Sequence, residues 1–509
     1  MNPFLATDGY KTGHHKMYPE GTTLVYSNFT PRSNKHAPTG CDKVVSFGQQ
    51  MVVKQIEEMF DKDFFGADKR TVITEMYKEY SMYLGCEYDV SHIEALWDLG
   101  YLPIKVKALP EGTTVPMGVP VLTIYNTKPE FYWLTNFLET LISNLLWKPM
   151  TSATIAHQYK KNLLSWAEKT DKDNKAFVEF QGHDFSMRGL DSIDATISSG
   201  LGHATSFLGS DSLPVIYGAR KYYRETGPVV HSVNATEHSV MCAGAKDSEI
   251  KTFRYLMKQF PTGILSIVSD TWDLWKVITE YLPQLKEEIL ARDGKIVIRP
   301  DSGDPVDIIC GDNYWRDSAQ TLGKEVLNKS EAKGVIELLW DIFGGTVNEQ
   351  GYKVLDPHIG AIYGDSITID RAEQICARLE AKGFASTNIV LGVGSFTYQY
   401  NTRDTFGFAM KATYVEVNTW DKNVTGNGKW VTEGREIFKD PVTDDGTKKS
   451  AKGLLSVGHD PSKNNEYVLF DQQDWNTEDT GYLQTIFEDG KFENETTLTE
   501  IREKLTKTI

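Results

Sequence analysis

Four short apolar runs between Leu265 and Ser395 each end abruptly in acidic residues or a Gly/Ser cluster. The four stretches are LSIVSDTWD, KIVIRPDSGDP, GAIYGDSIT and NIVLGVGSF. Apolar runs of this length are typical of buried parallel strands, whose carboxyl ends meet at one edge of the sheet. In an α/β barrel that edge forms the active-site face, so the pattern favours an enzyme. The residues expected to converge there are Asp270, Arg299, Asp301, Asp365 and Gly392–Ser395.

The spacing of these runs fits repeated units of one strand and one helix. Asp270 to Asp301 spans 31 residues and Asp365 to Gly394 spans 29, whereas Asp301 to Asp365 spans 64. The wide gap fits two units or one enlarged unit. Thr368 is a candidate N-cap for a helix whose apolar positions recur at helical spacing. The positions on that face are Ile369, Ala372, Ile375, Cys376 and Leu379.

Length and composition predict more than one domain. A chain of 509 residues with 40% hydrophobic content exceeds the size at which single cores stop growing. We expect residues 1–150 to begin a sheet-rich domain, 151–400 to form the α/β barrel, and 401–509 to return to the sheet-rich domain. The β-type runs between Pro and Gly turns at 100–126 and after Thr405 support this α+β second domain. A helix from about Glu130 to Trp147 should close its first part, and the barrel series should begin near Ala176.

The net charge of −16 argues against nucleic acid as a general partner, because phosphate backbones are bound by positive surface. The five cysteines form no CxxC pair, which favours reduced, buried thiols in the cytosol. The N-terminus carries polar residues too early for a signal peptide. The most apolar segment, FYWLTNFLETLISNLLW, contains Asn136, Glu139 and Asn144 and fits an interior helix better than a membrane span. We therefore expect a cytoplasmic protein with no membrane contact.

Several polar clusters at the predicted strand ends are suited to a phosphorylated ligand. In RPDSGDP, Arg299 and Asp301 combine a guanidinium that fits phosphate oxygens with a carboxylate that can hold Mg²⁺. Asp270 and Asp365 follow neighbouring runs in the same way. Gly392-Val393-Gly394-Ser395 resembles a backbone cradle for phosphate, although a tight turn explains it equally well. Each cluster alone also fits a structural turn.

Two further motifs combine aromatic and titratable residues. Phe185 in HDFSMRG is a candidate stacking face for a flat heteroaromatic ligand, with Arg188 nearby, although core packing is an alternative. His238 in SVNATEHS is a candidate general acid or base, metal ligand or phosphoryl acceptor. A hydrogen-bonded structural histidine is an equally good interpretation of His238.

At these residues the chain resembles the nicotinate/nicotinamide phosphoribosyltransferase family, and within it the nicotinamide enzymes. The likeness covers nearly the whole chain in order, from ATDGYKTGHHKMYP through HDFSMRG, SVNATEHS, IRPDSGDP and GDSITID to FKDPVTDDGTKKSAKG. It implies a barrel of the type II phosphoribosyltransferase kind. It also implies transfer of phosphoribosyl from phosphoribosyl pyrophosphate to nicotinamide, which gives nicotinamide mononucleotide and pyrophosphate in NAD salvage.

The resemblance implies roles for individual residues. Phe185 matches the family's nicotinamide-stacking aromatic, and Tyr10, with Asp8 beside it, matches the group that a second subunit supplies, so a homodimer with shared sites is expected. Asp211 matches the acceptor of the carboxamide N–H₂. The remaining residues implied in substrate binding are Arg188, Ser232, Ser266, Arg299, Gly364, Asp365, Gly394 and Ser395.

The resemblance also implies a catalytic group and a phosphate-binding group. His238 matches the histidine that the family phosphorylates from ATP, a co-substrate here, and Asp270 and Asp301 match carboxylates near the reacting centre and Mg²⁺. No prosthetic group is implied. The basic residues implied around pyrophosphate and ATP are Arg32, Arg403, Lys411, Lys439 and Lys448.

Two alternatives remain at the level of sequence. The first is nicotinate phosphoribosyltransferase, an enzyme of the same fold whose substrate carries a carboxylate in place of the amide. The second is a non-catalytic nucleotide-binding relative that kept the fold and lost the reaction, since fold alone does not decide function.

Overall fold

Two seven-stranded sheets organise the chain. A computed structural model describes residues 1–421, 429–439, 451–463 and 465–509. One sheet is entirely parallel and the other antiparallel. This architecture confirms the predicted α/β barrel with a second, sheet-rich α+β unit.

The parallel sheet forms the barrel, and its strands are neighbours in chain order. Each strand is followed by helical residues, as the strand–helix spacing predicts. The strands are Gly182–Asp184, Gly209–Ser210, Asn234–Ala235, Thr262–Val268, Asp293–Arg299, Ile359–Tyr363 and Ile389–Val393. The last strand pairs with the first through Leu391 and Gly182.

A single bridge closes this sheet into a ring. Gly209 forms a parallel bridge with His231, three residues before the strand Asn234–Ala235. The Ser210 N–H donates to the His231 carbonyl at 3.0 Å, and the His231 N–H donates to the Leu208 carbonyl at 2.7 Å. Closure leaves no unpaired edge and encloses a lumen.

Helices cover the outside of the barrel. Side chains such as Ile267, Ile296 and Ile298 point outward from the strands and are fully buried beneath the helices. The covering helices are Ile193–Ala204, Pro214–Tyr223, His238–Ala243, Glu249–Gln259, Leu274–Lys276, Val277–Tyr281 (π-helical), Leu282–Leu290, Pro305–Cys310, Asn313–Leu322, Ser330–Phe343, Ile369–Ala381 and Ser395–Gln399.

The wide gap between Asp301 and Asp365 is one enlarged unit. Three α-helices, the 3₁₀-helix Lys324–Asn328 and a hairpin of Gly345–Val347 with Lys353–Leu355 fill it. Thr368 is the predicted N-cap, since its hydroxyl accepts from the Arg371 N–H at 3.2 Å. All five predicted apolar positions of that helix are buried.

The predicted start of the barrel series near Ala176 was wrong by several residues. Residues Lys172–Phe177 and Val178–Gln181 are helical, and the first strand begins at Gly182. Phe177 and Phe180, three positions apart, both face the lumen. An apolar spacing of three suits a helical turn and not a strand.

The antiparallel sheet draws strands from both ends of the chain, as predicted. Its order is Lys429–Glu436, Ala409–Asp421, Thr22–Thr30, Leu122–Asn126, Ile104–Ala108, Gln484–Glu488 and Lys491–Phe492. Two further hairpins accompany it, Lys43–Val45 with Thr114–Pro116 and Leu454–Asp460 with Glu466–Gln473. The helices around it are Gln49–Phe60, Lys69–Leu84, Ser91–Leu99, Trp475–Thr480 and Leu498–Thr506.

One long helix, Tyr132–Thr170, joins the two units. The predicted end of this helix near Trp147 was wrong, because the helix continues through Pro149 to Thr170. Proline removes one backbone donor, but the helix is buried on several sides over 149–156, so packing holds it together. Within the described ranges, no helix is long and apolar enough to span a bilayer.

The cysteines are free, and three of them, Cys41, Cys310 and Cys376, are buried as predicted. Cys86 and Cys242 are exposed, so the prediction of burial was wrong for these two. Cys86 follows the left-handed Gly85 that ends the helix Lys69–Leu84, which places it in a surface turn.

Candidate active site

A cavity of about 490 Å³ occupies the barrel lumen. Alternation along the strands builds its wall: Lys295, Val297 and Arg299 face inward, while Ile296 and Ile298 between them face the helices. Five of the predicted substrate-binding residues line it together, namely Phe185, Asp211, Ser232, Ser266 and Arg299. We call this space the central cavity.

Phe185 lies at the carboxyl end of the first strand. Its N–H donates to the Val393 carbonyl at 3.0 Å, which holds its backbone to the last strand, and the residue lines the central cavity. The Arg299 guanidinium lies over one ring face, 4.6 Å from the centroid. The His183 ring lies 4.6 Å away at 37°. Phe185 therefore lines the cavity instead of packing in the core.

Asp211 presents a carboxylate to the same end of the cavity. Its Oδ1 accepts hydrogen bonds from His183 Nε2 at 2.9 Å and from the Ser232 hydroxyl. The surrounding walls disfavour the charged form even though 39% of the side chain remains accessible. The hydrogen bonds from His183 and Ser232, followed by the electrostatic effects of His183 and Arg299, outweigh this and lower the pKa of Asp211. Asp211 is thus an ionised acceptor within reach of a ligand.

Three titratable side chains form a second group at the barrel rim, which we call the rim cluster: His238, Asp270 and Asp301. His238 Nε2 lies 3.1 Å from Asp301 Oδ1 and 4.0 Å from Asp270 Oδ1. The Thr271 hydroxyl holds His238 Nδ1 at 3.1 Å. About 46% of the His238 side chain is exposed, so a soluble ligand can reach it.

Asp270 is the fixed member of the rim cluster. Its Oδ2 accepts from the N–H groups of Asp301 and Ser302 at 2.9 and 2.8 Å, and from the Ser302 hydroxyl at 2.6 Å. Its Oδ1 is buried and, within the described ranges, has no hydrogen-bond partner. A buried carboxylate oxygen left unpaired in this way is suited to a ligand that supplies positive charge.

The rim cluster fits a divalent cation. One ligand atom from each of its three residues lies within 4.8 Å of the others. Mg²⁺ prefers oxygen ligands and keeps several waters, so Asp270 and Asp301 fit it better than the His238 nitrogen does.

The glycines that follow the last two strands are closely packed by acidic side chains of the site. A Cβ at Gly364 would lie 3.1 Å from the Asp301 Cβ and 2.9 Å from Arg299 Nε. A Cβ at Gly394 would lie 2.9 Å from Asp365 Oδ1. Ser395 packs against Gly189, next to Arg188, so closely that a Cβ at position 189 would overlap the Ser395 hydroxyl. These residues surround the mouth, but Asp301 and Gly394 do not line the central cavity itself.

Tyr10 and Asp8 lie away from this cavity, in the sheet-rich unit. Tyr10 is 67% exposed, and its hydroxyl lies 3.4 Å from Asp8 Oδ2. Asp8 also accepts from the Thr140 hydroxyl at 2.7 Å. One protomer therefore does not bring Tyr10 to Phe185.

The predicted basic group lies near the first strand of the antiparallel sheet. Arg32 Nε donates to the Gly407 carbonyl at 3.1 Å, and burial, together with the nearby charge of Arg403, lowers the pKa of Arg32. Lys411 lies opposite Asn28 in the sheet, and Lys439 follows the strand Lys429–Glu436. Lys448 lies outside the described residues.

His183 is a site residue that the sequence did not reveal. It precedes Asp184, which is fully buried and accepts from the Ser186 N–H at 2.9 Å. Strand alternation predicts that His183 and Asp184 face opposite sides. In a strand of only three residues, however, alternation does not show which of the two side chains faces the lumen.

Comparison with known proteins places this geometry in a family. Residues 180–491 match the nicotinate phosphoribosyltransferase (NAPRTase) family, and residues 2–105 match the N-terminal domain of nicotinamide phosphoribosyltransferase. The first match covers more than half of the chain and contains the barrel strands, the rim cluster and most of the residues that line the central cavity. The chain belongs to the nicotinate phosphoribosyltransferase family.

Relatives within this family match over nearly their whole length. The nicotinamide phosphoribosyltransferase of Acinetobacter baylyi is 49% identical over 521 residues, covering 100% of this chain and 98% of the relative. The nicotinamide phosphoribosyltransferase of Xanthomonas campestris pv. campestris is 31% identical, covering 98% and 97%.

Two solved structures share the fold. Human nicotinic acid phosphoribosyltransferase superposes with a TM-score of 0.54 at 15% identity, over 99% of this chain and 93% of the other. The nicotinate-nucleotide pyrophosphorylase of Pyrococcus furiosus superposes with a TM-score of 0.53 at 14% identity, over 100% and 95%. Both agree with a type II phosphoribosyltransferase architecture.

Proposed function

We propose that the chain transfers the phosphoribosyl group of phosphoribosyl pyrophosphate to nicotinamide, giving nicotinamide mononucleotide and pyrophosphate in NAD salvage. The relatives named nicotinamide phosphoribosyltransferase, matched over the full chain, support this activity. The central cavity supports the choice of base, and the rim supports the handling of phosphates.

The ionised Asp211 beside Phe185 carries the choice of nicotinamide. A carboxylate accepts from the two N–H donors of a carboxamide, whereas it repels the carboxylate of nicotinate. His183 and Ser232 both donate to Oδ1, and Oδ2 accepts no hydrogen bond from the described residues, so it can accept from a ligand amide. Phe185 supplies a flat face for the pyridine ring.

Positioning and electrostatics are sufficient for the chemistry. The pyridine nitrogen attacks C1 of the ribose as pyrophosphate leaves, and this nitrogen carries no proton, so no general base is required there. Positive charge develops at C1 in the transition state. Preoriented carboxylates such as Asp270 stabilise such charge without reorganising, and a ring held on Phe185 keeps the nucleophile aligned.

Mg²⁺ would be held by Asp270 and Asp301, where it would neutralise charge on the departing pyrophosphate. Arg299 is placed to bridge the two halves of the site, since it stacks on Phe185 and approaches Gly364 at the rim. Arg188 and the Gly394–Ser395 turn would hold the ribose 5′-phosphate, and Arg32, Arg403, Lys411, Lys439 and Lys448 would bind pyrophosphate and ATP phosphates.

His238 would accept a phosphoryl group from ATP and couple its hydrolysis to the transfer. Its exposure and the hydrogen bonds that fix both ring nitrogens support this role. We also propose a homodimer in the cytoplasm. The exposed Tyr10, remote from its own cavity, would then reach Phe185 of a second copy.

A paired assay tests the proposal. Mononucleotide formation is measured with nicotinamide and with nicotinate, with phosphoribosyl pyrophosphate and Mg²⁺, in the presence and absence of ATP. We expect kcat/KM to be higher for nicotinamide. A preference for nicotinate would establish the alternative enzyme, and no product from either base would establish the non-catalytic alternative.

Asp211→Asn tests the observation that carries the proposal. One unit charge about 5 Å from a substrate carboxylate, at an effective dielectric constant of about 20, gives a factor above 100, which solvent at the open mouth reduces. Removing that charge should therefore raise relative use of nicotinate roughly 10- to 100-fold. Asp356→Asn, at the opposite end of the barrel, should leave the ratio unchanged. An unchanged ratio in Asp211→Asn would refute the role given to Asp211.

A further inference from the structure

His183 stands between the two residues assigned to the base. Its Nε2 contacts Asp211 at 2.9 Å, and its ring lies beside Phe185 at 4.6 Å between centroids. It lines the central cavity and is 12% accessible at its side chain. Any ligand group that binds Asp211 therefore also interacts electrostatically with His183.

We propose that His183 controls the choice between amide and carboxylate bases by changing the net charge of the His183–Asp211 pair with pH. The proposal rests on the proposed function and deepens it. With a neutral imidazole the pair carries one negative charge, and with an imidazolium it carries none. Nicotinate is repelled only by the first state, whereas nicotinamide, which is uncharged, can donate to Asp211 in both.

The hydrogen bond to Asp211 survives the change. A carboxylate can only accept, so Nε2 carries a proton in the neutral ring as well as in the cation. The second proton goes to Nδ1. A Cβ at position 209 would lie 2.8 Å from Nδ1, so Gly209 leaves that nitrogen uncovered by any side chain there. Protonation thus alters charge while leaving the geometry of Asp211 in place.

Other charged groups around His183 do not cancel this effect. His203, behind the strand, is fully buried, and burial lowers its pKa, so it stays neutral. Arg299 lies across the Phe185 ring and stays positive throughout. Asp184 is fully buried on the far side of the strand. His231 and Lys295 line the same cavity, and burial lowers the pKa of Lys295, so these two are the titratable groups that the experiment must separate from His183.

The test is the pH profile of the ratio of kcat/KM for nicotinate to kcat/KM for nicotinamide. Between about pH 6 and about pH 8.5, the range in which imidazoles ordinarily titrate, both bases keep their charge. We expect the ratio to fall about tenfold or more as pH rises. One unit charge at about 5 Å and an effective dielectric constant of about 20 gives a factor above 100, which solvent at the open mouth reduces. Effects of pH common to both substrates cancel in the ratio.

His183→Gln keeps a donor near the position of Nε2 but cannot become charged. Its ratio should stay flat across the pH range, at the value that the unaltered enzyme shows at high pH. His358→Gln is the matched control, because His358 pairs with Asp356 at 2.8 Å at the opposite end of the barrel. It should keep the pH-dependent ratio. His231→Gln and Lys295→Met should keep it as well, and a flat ratio in either variant would transfer the role to that residue and overturn the assignment.

The outcomes separate this inference from the function on which it rests. Failure to form mononucleotide from nicotinamide at any pH would refute the proposed function. Nicotinamide turnover with a ratio that does not vary with pH would refute only the role of His183, and this result needs no variant to fold. A pH-dependent ratio retained in His183→Gln would refute it as well.

Discussion

Lys107 and Glu478 form a buried ion pair that ties the C-terminal segment to the middle of the antiparallel sheet. Their side chains are 2% and 0% exposed, and Lys107 Nζ lies 2.7 Å from Glu478 Oε2 and 2.8 Å from the Glu478 carbonyl. The Tyr26 hydroxyl donates to Glu478 Oε1 at 3.2 Å. Lys107→Met would leave the Glu478 carboxylate buried without its counter-charge.

Removing one partner of a buried pair typically costs about 3–5 kcal/mol, far more than loss of the pair as a whole. For a cooperative unit of this size that corresponds to a fall in Tm on the order of 10 °C. Lys107→Met together with Glu478→Gln should recover most of the loss, because a neutral amide still accepts from Tyr26. Lys69→Met, which breaks an exposed pair with Glu94 and Asp98, serves as control and should change Tm little.

The loss in Lys107→Met should also depend on pH. Burial raises the pKa of Glu478, and the hydrogen bond from Lys107 opposes that rise. A carboxyl whose pKa is raised on folding destabilises the native state as pH increases through that pKa. Without Lys107 the pKa rises further, so the destabilisation should be smaller at about pH 5 than at about pH 8. Thermal unfolding of the four proteins at both pH values measures this. A double variant no more stable than Lys107→Met, or an equal loss at both pH values, would refute the reasoning.

Two further predictions concern the site. In Gly392→Ala, the new Cβ would lie 2.5 Å from the Tyr363 carbonyl oxygen and 2.9 Å from Phe185 Cδ2, so Phe185 must move; the KM for nicotinamide should rise about tenfold or more. Gly227→Ala, whose Cβ meets nothing nearer than 3.7 Å, should not alter it, and a normal KM in Gly392→Ala would contradict the placement of Phe185. If active sites are shared, Tyr10→Ala and Phe185→Ala should each impair nicotinamide turnover. When the two variants are mixed and exchange subunits, about a quarter of all active sites should contain both intact residues, and activity should recover to that extent. Absence of recovery, or activity in a monomer by analytical ultracentrifugation, would contradict the shared site.

The carboxyl ends of the strands could be predicted because one physical rule acts at each of them. The runs before Asp270, Asp301 and Asp365 must be apolar to pass through the barrel, and the chain can become polar only where it leaves. The same rule could not predict where the first barrel strand begins. Phe177 and Phe180 are as apolar as a strand, and only their spacing reveals a helical turn that faces the lumen.

Closure of the barrel could not be predicted from the sequence for a different reason. Gly209 and Ser210 form a strand of two residues, too short for any periodic signal, and its bridge to His231 depends on backbone atoms. That bridge also sets the base pocket. Asp211 follows one of the bridged segments and Ser232 follows the other, so closing the barrel brings the hydroxyl of one to the carboxylate of the other.

The division of the site into cavity and rim explains how an acidic chain can handle phosphorylated substrates. The base enters a space whose only predicted ionised acceptor is Asp211, while Asp270 and Asp301 lie outside that space and are available to a cation. Negative charge would repel phosphates in either place if it were uncompensated. At the rim, the buried Oδ1 of Asp270 accepts no hydrogen bond from the described residues and is suited to a ligand that supplies positive charge. In the cavity, the Arg299 guanidinium places a fixed positive charge over the Phe185 ring. Arg299 can serve both ends because its guanidinium stacks on Phe185 while its Nε approaches Gly364, where any side chain would displace it.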